Sequence, residues 1–231
     1  MLKFSQLIEH MKDRSNRFVW DDDDCEGSPN DLEEEVLVEK FPDNDPHREV
    51  RAGFKEHARS LKRSHVEELK RYKENQEINH SLRATQKNHA EHYDLEDNEK
   101  RRIKKLDHVT SHQTKGHMTV YRGLTKGHME RHNGLKPGTT FTDHGYTSAS
   151  FHKHIAAKFG NKQKKHIIQI HAPPGTKAHH FDSHRNEHQH EDEVVFHRGT
   201  KFRVTHHSFD GEHHIVHAQV VSQRPKAVSK Y

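Results

Sequence analysis

An α+β fold follows from two features of the sequence. Residues 48–112 carry helical spacing, whereas residues 113–225 break into short β-branched and aromatic runs separated by Gly and Pro-Gly turn positions. Helices that precede strands in this way pack as an α+β domain, with sheet-on-sheet or barrel-like packing of the strands. A third observation limits its size: 29% apolar against 32% charged residues over 231 positions supports one modest core. No apolar run is long enough to span a membrane.

Residues 1–20 place Leu2, Phe4, Leu7, Ile8 and Met11 at helical spacing, which predicts a short amphipathic segment without the apolar core of a secretory signal. Residues 21–47 read as an acidic flexible linker. Between Trp20 and Pro46, twelve Asp and Glu stand against Lys40 alone, a local charge of −11 inside a chain of net +4, which leaves +15 on the rest. A basic body of that size favours acidic or nucleic-acid-bound partners, although a merely solvated basic surface reads equally well. Cys25, the single cysteine, cannot form an internal disulfide, which fits a reducing compartment such as a bacterial cytoplasm.

The folded part is expected at 48–225, with a helical lead-in at 48–112, a strand-rich core at 113–225 and a basic tail at 226–231. Phe54, Ala58, Leu61, His65, Leu69 and Tyr72 predict one helical stretch, and Ile78 and Leu82 a second. Asp94 or Asp97 is the expected cap of a third, which carries Ile103, Leu106 and Val109. Strands are expected at Met118–Tyr121, Thr139–Thr142, Gly145–Ser150, His166–His171, Glu193–Phe196, Lys201–Thr205 and Ile215–Val221. One helical face, Ile155, Ala156 and Phe159, interrupts them, and a His-rich loop precedes Glu193.

The chemistry centres on Glu191-Asp192-Glu193, which runs into Val194-Val195-Phe196. In an extended backbone Glu191 and Glu193 share a face while Asp192 points away, with only a solvated role left to it. Like charges that close oppose each other's ionisation, so one carboxyl can hold a proton while the other stays anionic. Arg122, in Val120-Tyr121-Arg122-Gly123, and Ser148, in Gly145-Tyr-Thr-Ser-Ala-Ser150, fall on preceding strand ends.

These residues in this order, with Ile78-Asn-His-Ser-Leu-Arg83, Ala156-Ala-Lys-Phe159 and Glu193-Val-Val-Phe-His-Arg-Gly-Thr-Lys-Phe-Arg-Val204, resemble the arginine-serine-glutamate class of mono-ADP-ribosyltransferases. The resemblance covers roughly residues 66–221 and implies an ADP-ribosyltransferase fold: N-terminal helices, then two packed, mostly antiparallel sheets around an NAD cleft. It implies NAD as co-substrate and no metal. Arg122, fork-shaped and permanently charged, is placed on the NAD phosphates. Ser148 orients the active-site glutamate and the nicotinamide ribose. Ser150 matches the last serine of the family's Ser-Thr-Ser signature, in which Ala149 replaces the middle threonine. Glu193 matches the catalytic glutamate, which offsets positive charge in the transition state. Glu191 matches the upstream glutamate that accompanies arginine acceptors, where it orients the guanidinium and takes its proton. Gly123 either permits close backbone approach to the cofactor or serves a turn. The segment His179–His190 occupies the acceptor-recognition position, with Phe181 a candidate contact.

Water in place of arginine would make the protein an NAD glycohydrolase, and a non-catalytic virion or nucleic-acid-associated protein is the remaining alternative. The histidines at 179, 180, 184, 188 and 190 lack any fixed metal-ligand spacing. The leader and compact enzyme resemble transferases that tailed phages deliver or express in bacterial hosts. On charge, the targets expected are arginine-bearing proteins of the host transcription or translation machinery, in the host cytoplasm. A secreted bacterial effector is the alternative.

Overall fold

The computed structural model describes residues 45–75, 77–87, 95–125, 135–159, 166–181 and 191–225. The expected amphipathic segment at 1–20, nearly all of the acidic linker and the basic tail lie outside the described residues.

Helix α1 (Arg48–Ser60) buries Val50, Phe54 and Ala58 at four-residue spacing, and α2 (Arg63–Glu74) buries Leu69 and Tyr72, three residues apart. The sequence pattern runs through both as one stretch. The chain is broken at Leu61, which is extended at φ −74° and ψ 138°, and no Pro or Gly marks the break. Helix α3 (Glu77–Lys87) buries Ile78 and Leu82. Helix α4 (Asp97–Val109) starts at a capping box in which Glu96 and Glu99 satisfy each other's backbone N–H groups, so neither Asp94 nor Asp97 is the cap.

Among the described residues eight strands follow: β1 (Met118–Gly123), β2 (Thr140–Asp143), β3 (Thr147–Ser150), β4 (His166–Ala172), β5 (Ala178–His180), β6 (Glu193–Phe196), β7 (Thr200–Phe209) and β8 (His214–Gln223). Helix α5 (Lys153–Phe159) lies between β3 and β4. Strand β5 falls inside the segment expected as a His-rich loop; it pairs with β6, and Ala178, His179 and His180 are all buried.

The strands form one hydrogen-bonded sheet in the order β2-β7-β8-β4-β1-β3-β6-β5, with β4 and β8 its parallel pair. The two expected sheets are its two halves. They meet where β1 and β3 share a single pairing, Tyr121 opposite Ser150. Both halves feed one core, since Val120, Ile168, Val194, Phe196, Phe202 and Val216 belong to the same buried cluster. A second cluster joins α2, α3 and α4 to the other face of β6 through Leu69, Tyr72, Ile78, Ile103, Phe181 and Val195. Alternation along β6 explains the division: Val194 and Phe196 face one core and Val195 the other.

Gly199 is required by both its backbone conformation and its surroundings. Gly199 turns the chain between β6 and β7 at φ +72°, and a Cβ there would meet the Arg224 carbonyl oxygen at 2.6 Å. Gly199→Ala is expected to cost about 1–3 kcal/mol, read as a lowered urea midpoint with an unchanged slope.

Candidate active site

The residues singled out in the sequence converge on a cleft of about 360 Å³ at the seam between the sheet halves, a size suited to a small-molecule ligand. Its lining includes Tyr72 and Lys73 from α2, Arg122 and Gly123 from β1, Ser148 and Ser150 from β3, and Glu191 and Glu193. Across β3 and β6 the register sets Ser150 opposite Glu193 and Ser148 opposite Val195, so these four share the face toward α2.

Arg122 is the next-to-last residue of β1 and is half-buried. Its Nη1 donates to the Ser148 carbonyl at 2.6 Å, which ties β1 to β3 across the seam. Burial lowers its pKa from the ordinary guanidinium value, and Asp143 works against that shift. The charge still holds at neutral pH, because the ordinary value lies far above it.

Below this, Arg83 and Asp143 form a two-pronged pair at 2.9 Å for each bond, and Arg83 also donates to the Tyr146 carbonyl at 3.0 Å. Burial pushes the Asp143 carboxyl up, but hydrogen bonds and charge from Arg83, with Arg122 nearby, bring it down to about 2. Asn79 donates to the Tyr72 hydroxyl at 2.6 Å and to the Tyr146 carbonyl at 3.2 Å, and accepts from the Tyr146 N–H at 2.8 Å. Asn79 and Arg83 stand four residues apart on one face of α3, the spacing by which a helix can hold a neighbouring loop with two side chains.

The Tyr72 phenol is pushed up to about 12, first by burial and then by the charge of Glu193; hydrogen bonding to Ser148 opposes the shift. Tyr72 therefore stays neutral at neutral pH, with its hydroxyl held by Asn79.

Glu191 and Glu193 do come together, though not through a pleat. Strand β6 begins only at Glu193, and Asp192 adopts the left-handed conformation at φ 46°, which Asp tolerates better than most residues. Asp192 does not have the solvated role expected of it. It is 7% exposed, ion-paired with Arg51 of α1, and bonded to His180 at 2.7 Å, with His152 at 3.1 Å. Burial would raise its carboxyl, but hydrogen bonds from Arg51 and His180 hold it well below the ordinary carboxylate range. Burial likewise keeps His180 below its ordinary value despite Asp192.

Ser150 donates from Oγ to the Glu191 carbonyl at 2.7 Å and accepts the His152 N–H at 3.0 Å. Its hydroxyl fastens the turn that carries the glutamates. Phe181, expected at the acceptor, is instead 2% exposed and stacks on Tyr72 with ring centres 6.4 Å apart. The rest of the expected recognition segment, 182–190, lies outside the described residues, as do His184, His188 and His190. Among the described residues no group of three or more His, Cys, Asp or Glu is placed to hold a metal ion.

The sequence reading missed Lys73. Its Nζ lies 3.0 Å from Glu191 Oε2 and 3.3 Å from Glu193 Oε2, so the mutual repulsion of the carboxylates is met by a cation between them.

The architecture is that of ADP-ribosyltransferases. The C3 exoenzyme of Clostridium limosum superposes with a TM-score of 0.60 at 18% identity, covering 79% of this chain and 98% of that one. C3stau2 from S. aureus, solved with NAD, gives 0.61 at 19% identity over 75% and 95%. Exoenzyme S from Pseudomonas aeruginosa, solved with human 14-3-3 protein beta and carba-NAD, gives 0.56 at 17% over 76% and 84%. No curated protein sequence matches. The ADP-ribosyltransferase exoenzyme family model matches residues 51–224, and the chain belongs to that family. Its class of chemistry is NAD-dependent transfer of ADP-ribose. Among the described residues no helix is long and apolar enough to cross a membrane.

Proposed function

We propose that the protein is a mono-ADP-ribosyltransferase that modifies arginine side chains of target proteins and releases nicotinamide. The observation that carries this reading is the pair Glu191 and Glu193, held within 3.3 Å of one cation in a cleft that also holds Arg122 and Ser148. The cleft fits NAD: Arg122 supplies a fixed positive charge for the pyrophosphate, and Glu193 supplies a carboxylate for the ribose next to the scissile bond. Gly123, Ser148 and Ser150 line the same cleft, with Ser148 toward the ribose and Ser150 holding the glutamate turn.

The bond between the ribose C1′ and nicotinamide breaks, nicotinamide leaves with the electron pair, and a guanidinium nitrogen bonds to C1′. Glu193 opposes the positive charge that develops on the ribose. Glu191 orients the guanidinium and accepts the proton it loses, which matters because a guanidinium is otherwise protonated and poorly nucleophilic. The +15 charge outside the acidic segment supports targets within nucleic-acid-bound host machinery. The reading includes action inside a host cell, by a phage-encoded enzyme or by a secreted effector, and the exoenzyme family match is in line with the second.

Glu191→Gln tests the division of roles. The change keeps size and removes the base, so arginine transfer is expected to fall roughly 10²- to 10⁴-fold while NAD hydrolysis persists. Labelled NAD with agmatine as acceptor, followed for both products, reads the two reactions separately. Arginine transfer at the wild-type rate would refute the assignment, and NAD consumption without label transfer in the wild type would make the protein a glycohydrolase.

A further inference from the structure

Lys73 stands on the last turn of α2 with its side chain 14% exposed. Its ammonium lies 5.3 Å from the centre of the Phe181 ring and close to both glutamates. The nitrogen itself is buried, yet its contacts with the carboxylates are not aligned as hydrogen bonds. A cation placed this way has given up hydration without gaining directional bonds, so attraction of opposite charges is what holds it. Its four-carbon stem is flexible enough to carry it away.

We infer that Lys73 is an internal placeholder for the acceptor, an ammonium that occupies the cation position of Glu191 until an arginine side chain displaces it. The inference rests on the reading of Glu191 as the acceptor-binding carboxylate. Like charges brought to one carboxylate weaken each other's binding, so a docking guanidinium and Lys73 compete for Glu191. A planar guanidinium brings several donors in a fork that matches a carboxylate, and gains the aligned bonds Lys73 lacks. A substrate lysine would exchange one ammonium for another with no such gain. Lys73 thereby sets specificity for arginine over lysine by competing with both.

The test uses the full chain, agmatine as acceptor, and two substitutions that should act in opposite directions. Lys73→Met keeps the stem and removes the competitor, so the agmatine KM is expected to fall about fivefold. Lys73→Arg installs a competitor that can make aligned bonds, so the KM is expected to rise by about the same factor. A purely structural lysine would move both variants the same way, or change kcat and melting temperature with KM unmoved, and either result overturns the inference. Should Lys73→Met fail to fold by circular dichroism, Lys73→Arg decides alone: a raised KM supports the placeholder, and an unchanged or lowered KM overturns it. If wild-type protein ignores agmatine, or Glu191→Gln still uses it at the wild-type rate, the acceptor reading fails and takes this inference with it. If Glu191→Gln loses transfer but the Lys73 variants show no opposite shift, only the placeholder fails.

Discussion

Glu193→Gln is expected to lower nicotinamide release and ADP-ribose transfer together, by roughly a thousandfold. The substitution keeps the length and hydrogen-bonding reach of the side chain, and position 193 lies at the start of β6 with its backbone paired to Ser150. The fold therefore has little reason to respond. What disappears is a negative charge in a partly enclosed cleft, 14% exposed and 3.3 Å from Lys73. Such a charge acts on the positive ribose that develops as nicotinamide leaves, before any acceptor takes part, so hydrolysis and transfer fall by the same factor. Nicotinamide release measured with and without agmatine checks this. A variant that retained cleavage within tenfold of the wild type would remove Glu193 from the charge-stabilising role.

Asp192→Asn is expected to destabilise the fold by about 1–3 kcal/mol, because it strips one of two counter-charges from the buried Arg51 guanidinium. Asp192 lies between Arg51 of α1 and His180 of β5, and its own carbonyl accepts the Phe151 N–H at 3.1 Å. The substitution leaves Asp45, 3.0 Å away, as a carboxylate on Arg51. Urea unfolding of both proteins between pH 7 and pH 4 measures the difference, and a loss under 1 kcal/mol at pH 7 would refute a stabilising role for the network. Because the folded Asp192 carboxyl is depressed, its contribution is complete above the unfolded value near ~4 and is lost as pH falls through the folded one, so the gap persists down to about pH 4. The wild-type curve has its own slope. Burial lowers His180, and lowers His197 to about 4, so below the ordinary imidazole value of 6.5 the unfolded chain takes up protons first. Stability is therefore expected to decline from about pH 6.5 toward pH 4.

The strand half of the domain was largely legible because its signals are local. Met118-Thr-Val-Tyr and Glu193-Val-Val-Phe carry β-prone residues bounded by turn formers, and both form strands. Ala178-His-His reads as polar, yet both imidazoles are buried; histidine can sit either way, and the neighbouring strand decides. The interruption at Leu61 had no signal, since extended backbone there is fixed by packing and not by a helix-breaking residue. In the cleft, residues on successive strand ends could be grouped from sequence. Lys73 could not, because only the docking of α2 onto β6 brings it to Glu191. Asp192 was misread for a related reason: period-two alternation holds inside a strand, and the strand starts one residue later.

Where β1 meets β3 the backbone ladder is one pair wide, and Arg122 stands on one bank with Ser148 and Glu193 on the other. A molecule that grips Arg122 at one end and Glu193 at the other acts as a rivet through the thinnest line of the sheet. Such a molecule binds only the joined sheet, so part of its binding energy appears as added stability of that line, on top of the core the two halves already share.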